Sequence, residues 1–273
     1  MAILDADQLV RKIEEDNDGT VSLTTDQQVL RARAVIGADG SASRIGRFVG
    51  VECTQIDLGL EVELDASTVV DVWRGRIHLD WGPIRGSYAW VFPKGETLTV
   101  GVIAEKGNGD ATQAYLDRFI RALHLTGLPV VRSSGHLTRC RSADSPVARG
   151  RVLVAGDAAG LLEPWTREGI SFALRSGNLA GLSAARIATL ADDAVKQAGV
   201  SYANDINREL SDEITAGSML HTMYRRFPVL FHLAVVDTVP GWRAFVRVTG
   251  GETNFGRVLR HKPIAALARV LSL

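Results

Sequence analysis

The 273-residue chain has no excess of either charge: 31 Lys and Arg stand against 31 Asp and Glu. Proteins that grip a phosphate backbone carry a basic surplus, so the balance argues against nucleic acid as a partner. Cysteine is scarce. Cys53 and Cys140 are too few for a disulfide framework or a zinc site, and a reducing, cytoplasmic setting is expected. The six histidines form no H-x-x-x-H pair or Cys–His cluster, so no metal centre is expected. Long apolar runs are missing as well. Phe227 to Val236 is broken by His232 and closed by Asp237, too short to span a bilayer, and no signal-peptide core is visible at the N-terminus. Arg225-Arg226 ahead of Phe227-Pro228-Val229-Leu230-Phe231 leaves two readings, a core helix or a helix on a membrane surface, so any membrane contact is expected to be peripheral. Ser133-Ser134-Gly135-His136 lacks a G-x-S-x-G context, which leaves a hydrolase triad unsupported.

What the sequence has is glycine, 27 residues of it, in a chain otherwise composed like a folded globular protein (46% hydrophobic, 23% charged). Residues Leu9 to Ile13 and Thr20 to Leu23, joined by Asn17-Asp18-Gly19, read as a hairpin. Ala32 to Gly37 reads as a short strand running into Ala38-Asp39-Gly40, and Ser41-Ala42-Ser43-Arg44-Ile45 as the start of a helix with a serine available as cap. From Val51 to Glu105 the pattern has period two. Strands are expected at Val70–Trp73, Arg76–Asp80, Tyr88–Phe92 and Thr97–Ile103, with a turn at Pro93-Lys94-Gly95-Glu96. Asp110 is a candidate cap for a helix with Tyr115, Phe119 and Leu123 on one face. Val152-Leu153-Val154-Ala155 suits a strand buried on both faces of a parallel sheet. Helices are expected over roughly Glu168–Leu190 and Ser201–Met219, with shorter ones through Leu273. The fold class is therefore α/β with an antiparallel insert. Residues 1–50 and 140–200 are expected to form one discontinuous domain, 51–139 an antiparallel substrate domain, and 201–273 a helical region.

Two strand-to-glycine junctions carry the chemistry: Ala38-Asp39-Gly40 and Gly156-Asp157-Ala158-Ala159-Gly160. In α/β sheets ligands sit where strands end, where glycines let the backbone approach closely and helix N-termini present N–H groups. Asp157 would repel a phosphate there but would accept a hydrogen bond from a hydroxyl, as a sugar-like chain beside a pyrophosphate offers. Each junction can also be a plain turn. Tyr88, Trp90 and Phe92 alternate, so they share one face of a strand. Such a stripe is either a wall for a long hydrocarbon or core beneath a helix.

The two motifs, separated by the insert, resemble the FAD-binding fold of the aromatic-hydroxylase type. Within it, Tyr88-Ala89-Trp90-Val91-Phe92-Pro93-Lys94-Gly95 resembles the Y-x-W-x-F-P-x-G signature of geranylgeranyl reductases, and Glu163-Pro164-Trp165-Thr166-Arg167-Glu168-Gly169-Ile170 their P-x-T-G-E-G-I element. The resemblance implies FAD as cofactor, with Asp157 on the ribityl chain, Asp39-Gly40 near the pyrophosphate, and Arg167, Gly169 and Ile170 beside the flavin ring. It implies NAD(P)H as electron donor, an isoprenoid double bond as substrate, and Tyr88, Trp90, Phe92, Pro93 and Gly95 as the substrate wall. Other enzymes on this fold are flavin monooxygenases and halogenases, and a non-catalytic remnant or subunit is a third possibility.

Two departures stand out. Arg167 replaces the family's glycine; its guanidinium would either stabilise the anionic reduced flavin or form a surface ion pair with Glu163. The family's opening G-x-G-x-x-G unit, which holds the ADP half of FAD, is not found. The expectation is a truncated frame, a compact remnant, or a partner chain that supplies this unit. With it goes the expectation of an unpaired apolar edge on the strand at Val152–Ala155.

Overall fold

The computed structural model describes residues 4–260. Along the chain it places β1 (Val10–Glu15), β2 (Val21–Thr25), β3 (Val29–Ala32), β4 (Val35–Gly37) and α1 (Arg44–Val49). There follow β5 (Cys53–Asp65), α2 (Val70–Trp73), β6 (His78–Trp81), β7 (Tyr88–Lys94), β8 (Thr97–Glu105), α3 (Gly109–Ala122) and β9 (Val130–Arg141). The last part holds β10 (Ala148–Arg149), β11 (Val152–Val154), a 3-10 turn (Gly156–Ala159) and five helices: α4 (Ile170–Ile187), α5 (Asp192–Arg226), α6 (Pro228–Val235), α7 (Val239–Thr249) and α8 (Phe255–Leu259). The chain divides into two compact units. One comprises residues 4–54, 139–223 and 229–260, so the helices beyond residue 201 belong largely to it. The other comprises 55–138 with 224–228.

In the first unit, β11 is the centre of a three-stranded sheet ordered β10-β11-β4. It runs parallel to β4, with Val152 opposite Val35 and Val154 opposite Gly37, and antiparallel to β10. The expected open edge at Val152–Ala155 is thus corrected, since both sides of β11 are paired. Among the described residues the edges of this sheet are β10 and β4. All three β11 residues are buried. Around them pack Phe172, Ala180 and Ile187 of α4 and Tyr202, Ile206 and Leu210 of α5, and the Tyr202 hydroxyl donates to Val154 O at 2.8 Å. The hairpin is β1–β2, but a third strand, β3, joins it. The strand expected over Ala32–Gly37 is in fact two, interrupted at Arg33-Ala34.

The second unit is a five-stranded antiparallel sheet, β6-β7-β8-β5-β9, and α3 covers one face. Ala89, Val91, Leu98, Val100 and Val102 meet Tyr115, Leu116 and Phe119 there. Val70–Trp73 is a short helix, not a strand. Asp65 accepts from Ser67 N at 3.0 Å and Val69 N donates to Ala66 O at 2.8 Å, which curls the chain before any strand can pair. The N-cap of α3 is Asn108 instead of Asp110, which lies in the first turn, where its charge favours the helix dipole. The pieces expected beyond Arg260 lie outside the described residues.

Candidate functional site

The site is built where β11 stops. Gly156 (φ +54°) turns the chain out of the strand and donates its N–H to Ser176 Oγ on α4 at 2.9 Å. A Cβ at Gly156 would stand 3.0 Å from the Cβ of Ala173, so α4 lies close against the turn. Gly160 (φ +65°) closes it; its Cβ would stand 2.9 Å from the backbone nitrogen of Arg141. Both positions therefore select glycine by conformation and by space. Ala158 and Ala159 are buried beneath the turn, while Asp157 stays half-buried at its surface. Its Oδ1 lies 3.1 Å from where a Cβ of Gly169 would be. Gly169 is the N-cap of α4, so the missing side chain lets the carboxylate sit against the start of that helix.

The first motif is brought to the same place. β4 and β11 run parallel, so Ala38-Asp39-Gly40 and the Gly156–Gly160 turn leave the sheet at the same end. A Cβ on Gly46 of α1 would stand 2.5 Å from Ala158 O, so the backbones of α1 and the turn touch. Asp39 spends its carboxylate locally. It accepts from Ser43 Oγ at 2.5 Å, Arg44 N at 2.7 Å and Ile45 N at 3.3 Å, while Ser43 caps Gly46 N. Asp39 thus shapes the loop and starts α1, and Gly40 (φ +76°) leaves open space beside it.

In the Glu163–Ile170 segment Arg167 is not the surface residue that one of its two expected roles required. Arg167 holds a left-handed backbone (φ +58°), the conformation a glycine adopts without cost. Its side chain is 8% exposed, and Glu163 is 4% exposed, so no surface ion pair exists here. The guanidinium donates to Trp165 O at 2.6 Å and reaches His221 Nε2 at 3.1 Å. Arginine can only donate, so His221 presents an unprotonated Nε2. The Glu163 carboxylate accepts from Thr166 Oγ at 2.5 Å, from Thr166 N, and from Trp165 N at 3.2 Å. Burial pushes its pKa up, against the pull of those donors and of Arg167. Sequence reasoning missed this buried cluster; the i, i+4 spacing of Glu163 and Arg167 was its one visible trace, and His221 had none. Glu168 takes no part, since its carboxylate accepts from Ser171 N and Ser171 Oγ, both at 2.7 Å, on the first turn of α4. Ile170, the first residue of α4, faces outward. Cys53 and Cys140 are not joined in a disulfide, and burial pushes Cys53 away from the reactive thiolate form.

In the second unit, Tyr88, Trp90 and Phe92 form a continuous ladder. Ring centroids are 5.7 Å apart for the first pair and 6.1 Å for the second. Trp90 lies flat over Gly101, its cross-strand partner, where a Cβ would fall 2.1 Å from the indole. The alternation puts Ala89 and Val91 under α3, so the aromatic stripe is on the opposite face of the sheet. Packing beneath that helix is therefore not its role. Gly95 (φ +61°) turns the β7–β8 hairpin, and Pro93 pairs with Leu98 within it.

No family model matches the sequence. Individual proteins do. A digeranylgeranylglycerophospholipid reductase of Methanoculleus marisnigri is 33% identical over 187 residues, 63% of this chain and 45% of that protein. One from Methanopyrus kandleri is 33% identical over 190 residues, 66% of this chain and 48% of the relative. The chain is thus similar in sequence to digeranylgeranylglycerophospholipid reductases. An uncharacterised protein of Methanosarcina barkeri extends the match to 78% of the chain at 28% identity. The chain spans about half the length of the curated relatives it matches. Among solved structures, a geranylgeranyl bacteriochlorophyll reductase-like protein of Thermoplasma acidophilum superposes with a TM-score of 0.67 at 22% identity, covering 80% of this chain and 58% of its own. The flavin-dependent halogenase CmlS gives 0.61 at 17% identity, covering 81% and 43%. The fold is thus the α/β fold shared by the reductase-like protein and other flavoenzymes.

Proposed function

We propose that the chain is an FAD-dependent oxidoreductase, or the larger part of one, that reduces C=C bonds of an isoprenoid chain. The observation that carries this is the meeting of the two glycine motifs at one end of the β4–β11 pair. Glycine is required at Gly156 and Gly160 by space as well as by φ, and Asp157 stands beside the Gly169 cap of α4. These residues fit the ribityl end of FAD: a half-buried carboxylate takes hydroxyls, and the open backbone at Gly40 admits a pyrophosphate. Asp157, Gly40 and the Gly156–Gly160 turn would hold FAD, which, once reduced by NAD(P)H, would supply hydride chemistry for saturating an alkene. The chain's own part is to orient and to exclude water. Asp157 holds the ribityl hydroxyls, and the Glu163–Arg167–His221 cluster fixes the backbone between Pro164 and Ile170 beside the ring. The Tyr88–Trp90–Phe92 ladder offers the hydrocarbon an apolar wall. The open edge of β4 suits a further parallel strand from a partner chain that holds the ADP half. A lipid-like substrate is consistent with a cytoplasmic protein in peripheral contact with a membrane.

Titration of FAD with the purified chain tests the reading. Saturable quenching of flavin fluorescence is expected, weakened about tenfold or more in Asp157→Ala, as for a lost charge-assisted hydrogen bond. Anaerobic oxidation of the reduced flavoprotein by an isoprenoid alkene then tests the reaction. Product that forms only with oxygen would point to a monooxygenase instead.

A further inference from the structure

Among the described residues no single helix is long and apolar enough to cross a membrane. The pair α6 and α7 is apolar enough together, but it bends by 86° between them. Their inner faces are accounted for. Trp165, from the segment beside the glycine turn, is 3% exposed. It meets Phe231 of α6 at 4.9 Å, Phe245 of α7 at 6.0 Å and Phe255 of α8 at 5.2 Å between ring centroids. The start of α7 fits tightly against the end of α6, since a Cβ on Gly241 would stand 2.1 Å from Ala234 O. One anchored elbow results.

Its outer faces are apolar too. On α6, Val229, Leu230 and Leu233 are exposed. On α7, Val239 (63%), Trp242 (48%) and Val246 recur at i, i+3 and i+7, a single stripe. Arg243 and Arg247 follow Val239 and Trp242 by four and five positions and so border that stripe on one side. Arg247 shares its charge with Glu252 at 3.1 Å, and His232 stands 4.0 Å from Asp237. Of the four arginines between residues 229 and 260, Arg247 pairs with Glu252 and Arg260 with Asp212, so Arg243 beside the stripe is the cation that carries the local positive charge.

We propose that the α6–α7 elbow docks on an anionic lipid surface, lying in the headgroup layer with Trp242 as its anchor. This builds on the reading of a lipid-like substrate and peripheral contact, and it names the surface and the lipid charge. Helices of 8 and 11 residues reach far less than the roughly 20 residues a span requires. Each nonetheless presents an apolar face. Tryptophan favours the interfacial layer, and arginine stems reach back to phosphates while their methylenes remain in the apolar layer. Lipid fits better than a second copy of the chain: a two-fold contact centred on Trp242 would crowd Arg243 and Arg247 against their own copies.

The test is flotation of the full chain with vesicles of phosphatidylcholine alone, or with about a third of phosphatidylglycerol. The expected result is binding to the anionic vesicles several-fold above the neutral ones, with a blue shift of tryptophan emission. Trp242→Ser/Val246→Ser is expected to lose about tenfold in vesicle affinity, and Arg243→Gln/Arg247→Gln to lose the anionic preference. Both pairs are exposed, so unchanged circular dichroism confirms that the variants fold. FAD quenching is read on the same preparations. Vesicle binding supports the surface whether or not FAD binds. Its absence in the native chain overturns it, as does binding that neither double substitution alters. A concentration-dependent dimer that Trp242→Ser disrupts, without vesicle binding, also overturns it in favour of self-association.

Discussion

Arg167 and Glu163 show how one replaced residue reshapes its neighbourhood. A glycine would hold φ +58° without strain, whereas arginine holds it by tying its guanidinium to Trp165 O and His221 and by lying near Glu163. Glu163 is the group on which this leaves a pH signature. Its folded pKa is raised by burial above the ordinary 4.5. The sign follows from linkage: the stability this shift contributes is full below about pH 4.5 and is lost as pH rises through the folded value. In thermal melts from pH 4 upward, Glu163→Gln, which does not titrate, is expected to gain steadily on the native chain. Parallel profiles would contradict the assignment. At Asp39 the expected effect is on stability. Asp39→Ala removes the acceptor for Arg44 N and Ile45 N and is expected to cost about 1 kcal/mol in denaturant unfolding, as for a lost helix cap.

At the scale of elements, legibility followed how local the cause was. The β1–β2 hairpin was visible in Asn17-Asp18-Gly19, the start of α1 in the serines of Ser41-Ala42-Ser43, and the β7–β8 hairpin in Pro93-Lys94-Gly95-Glu96, because turn chemistry resides in the residues that make the turn. β11 was readable from its unbroken apolar run. Val70–Trp73 misled, because β-branched and aromatic residues imitate a strand while the Asp65–Ser67 turn ahead of them winds a helix. The identity of the neighbours of β11 was out of reach, since strand order depends on residues more than a hundred positions apart. Arg151 is another long-range case. It is buried, and its guanidinium donates to Ile187 O at 2.7 Å and Leu190 O at 2.8 Å at the end of α4, and to Arg33 O at 3.3 Å. It also meets Asp192 at the start of α5 at 2.7 Å. Asp192 is mostly exposed, so the carbonyls carry most of the effect. Arg151→Met is expected to cost about 2 kcal/mol in denaturant unfolding, mainly from carbonyls left without donors. A neutral result would mean that water replaces the guanidinium.

For the whole molecule, the glycine motifs were legible as candidates, and the structure puts them at one end of one sheet. The buried Glu163–Arg167–His221 cluster and the Trp165 anchor were not legible, because the segment holding Glu163, Trp165 and Arg167 finds its partners in distant helices: His221 of α5, and Phe231, Phe245 and Phe255 of α6 to α8. The two units hold distinct parts of the proposed work: flavin in the first, and an apolar wall in the second. The wall makes its own prediction. Gly101→Val would drive a side chain into the Trp90 ring and is expected to cost about 2 kcal/mol in unfolding by overpacking. The same substitution should weaken isoprenoid use while leaving FAD affinity unchanged, and equal loss of both would argue against separate roles. The central claim is that this chain grips flavin through Asp157 and the glycine turn. Its most direct test is the quenching of FAD fluorescence by the native chain and by Asp157→Ala at matched folding. The account predicts saturable quenching by the native chain that the variant largely loses; a well-folded native chain that leaves FAD fluorescence untouched would contradict it.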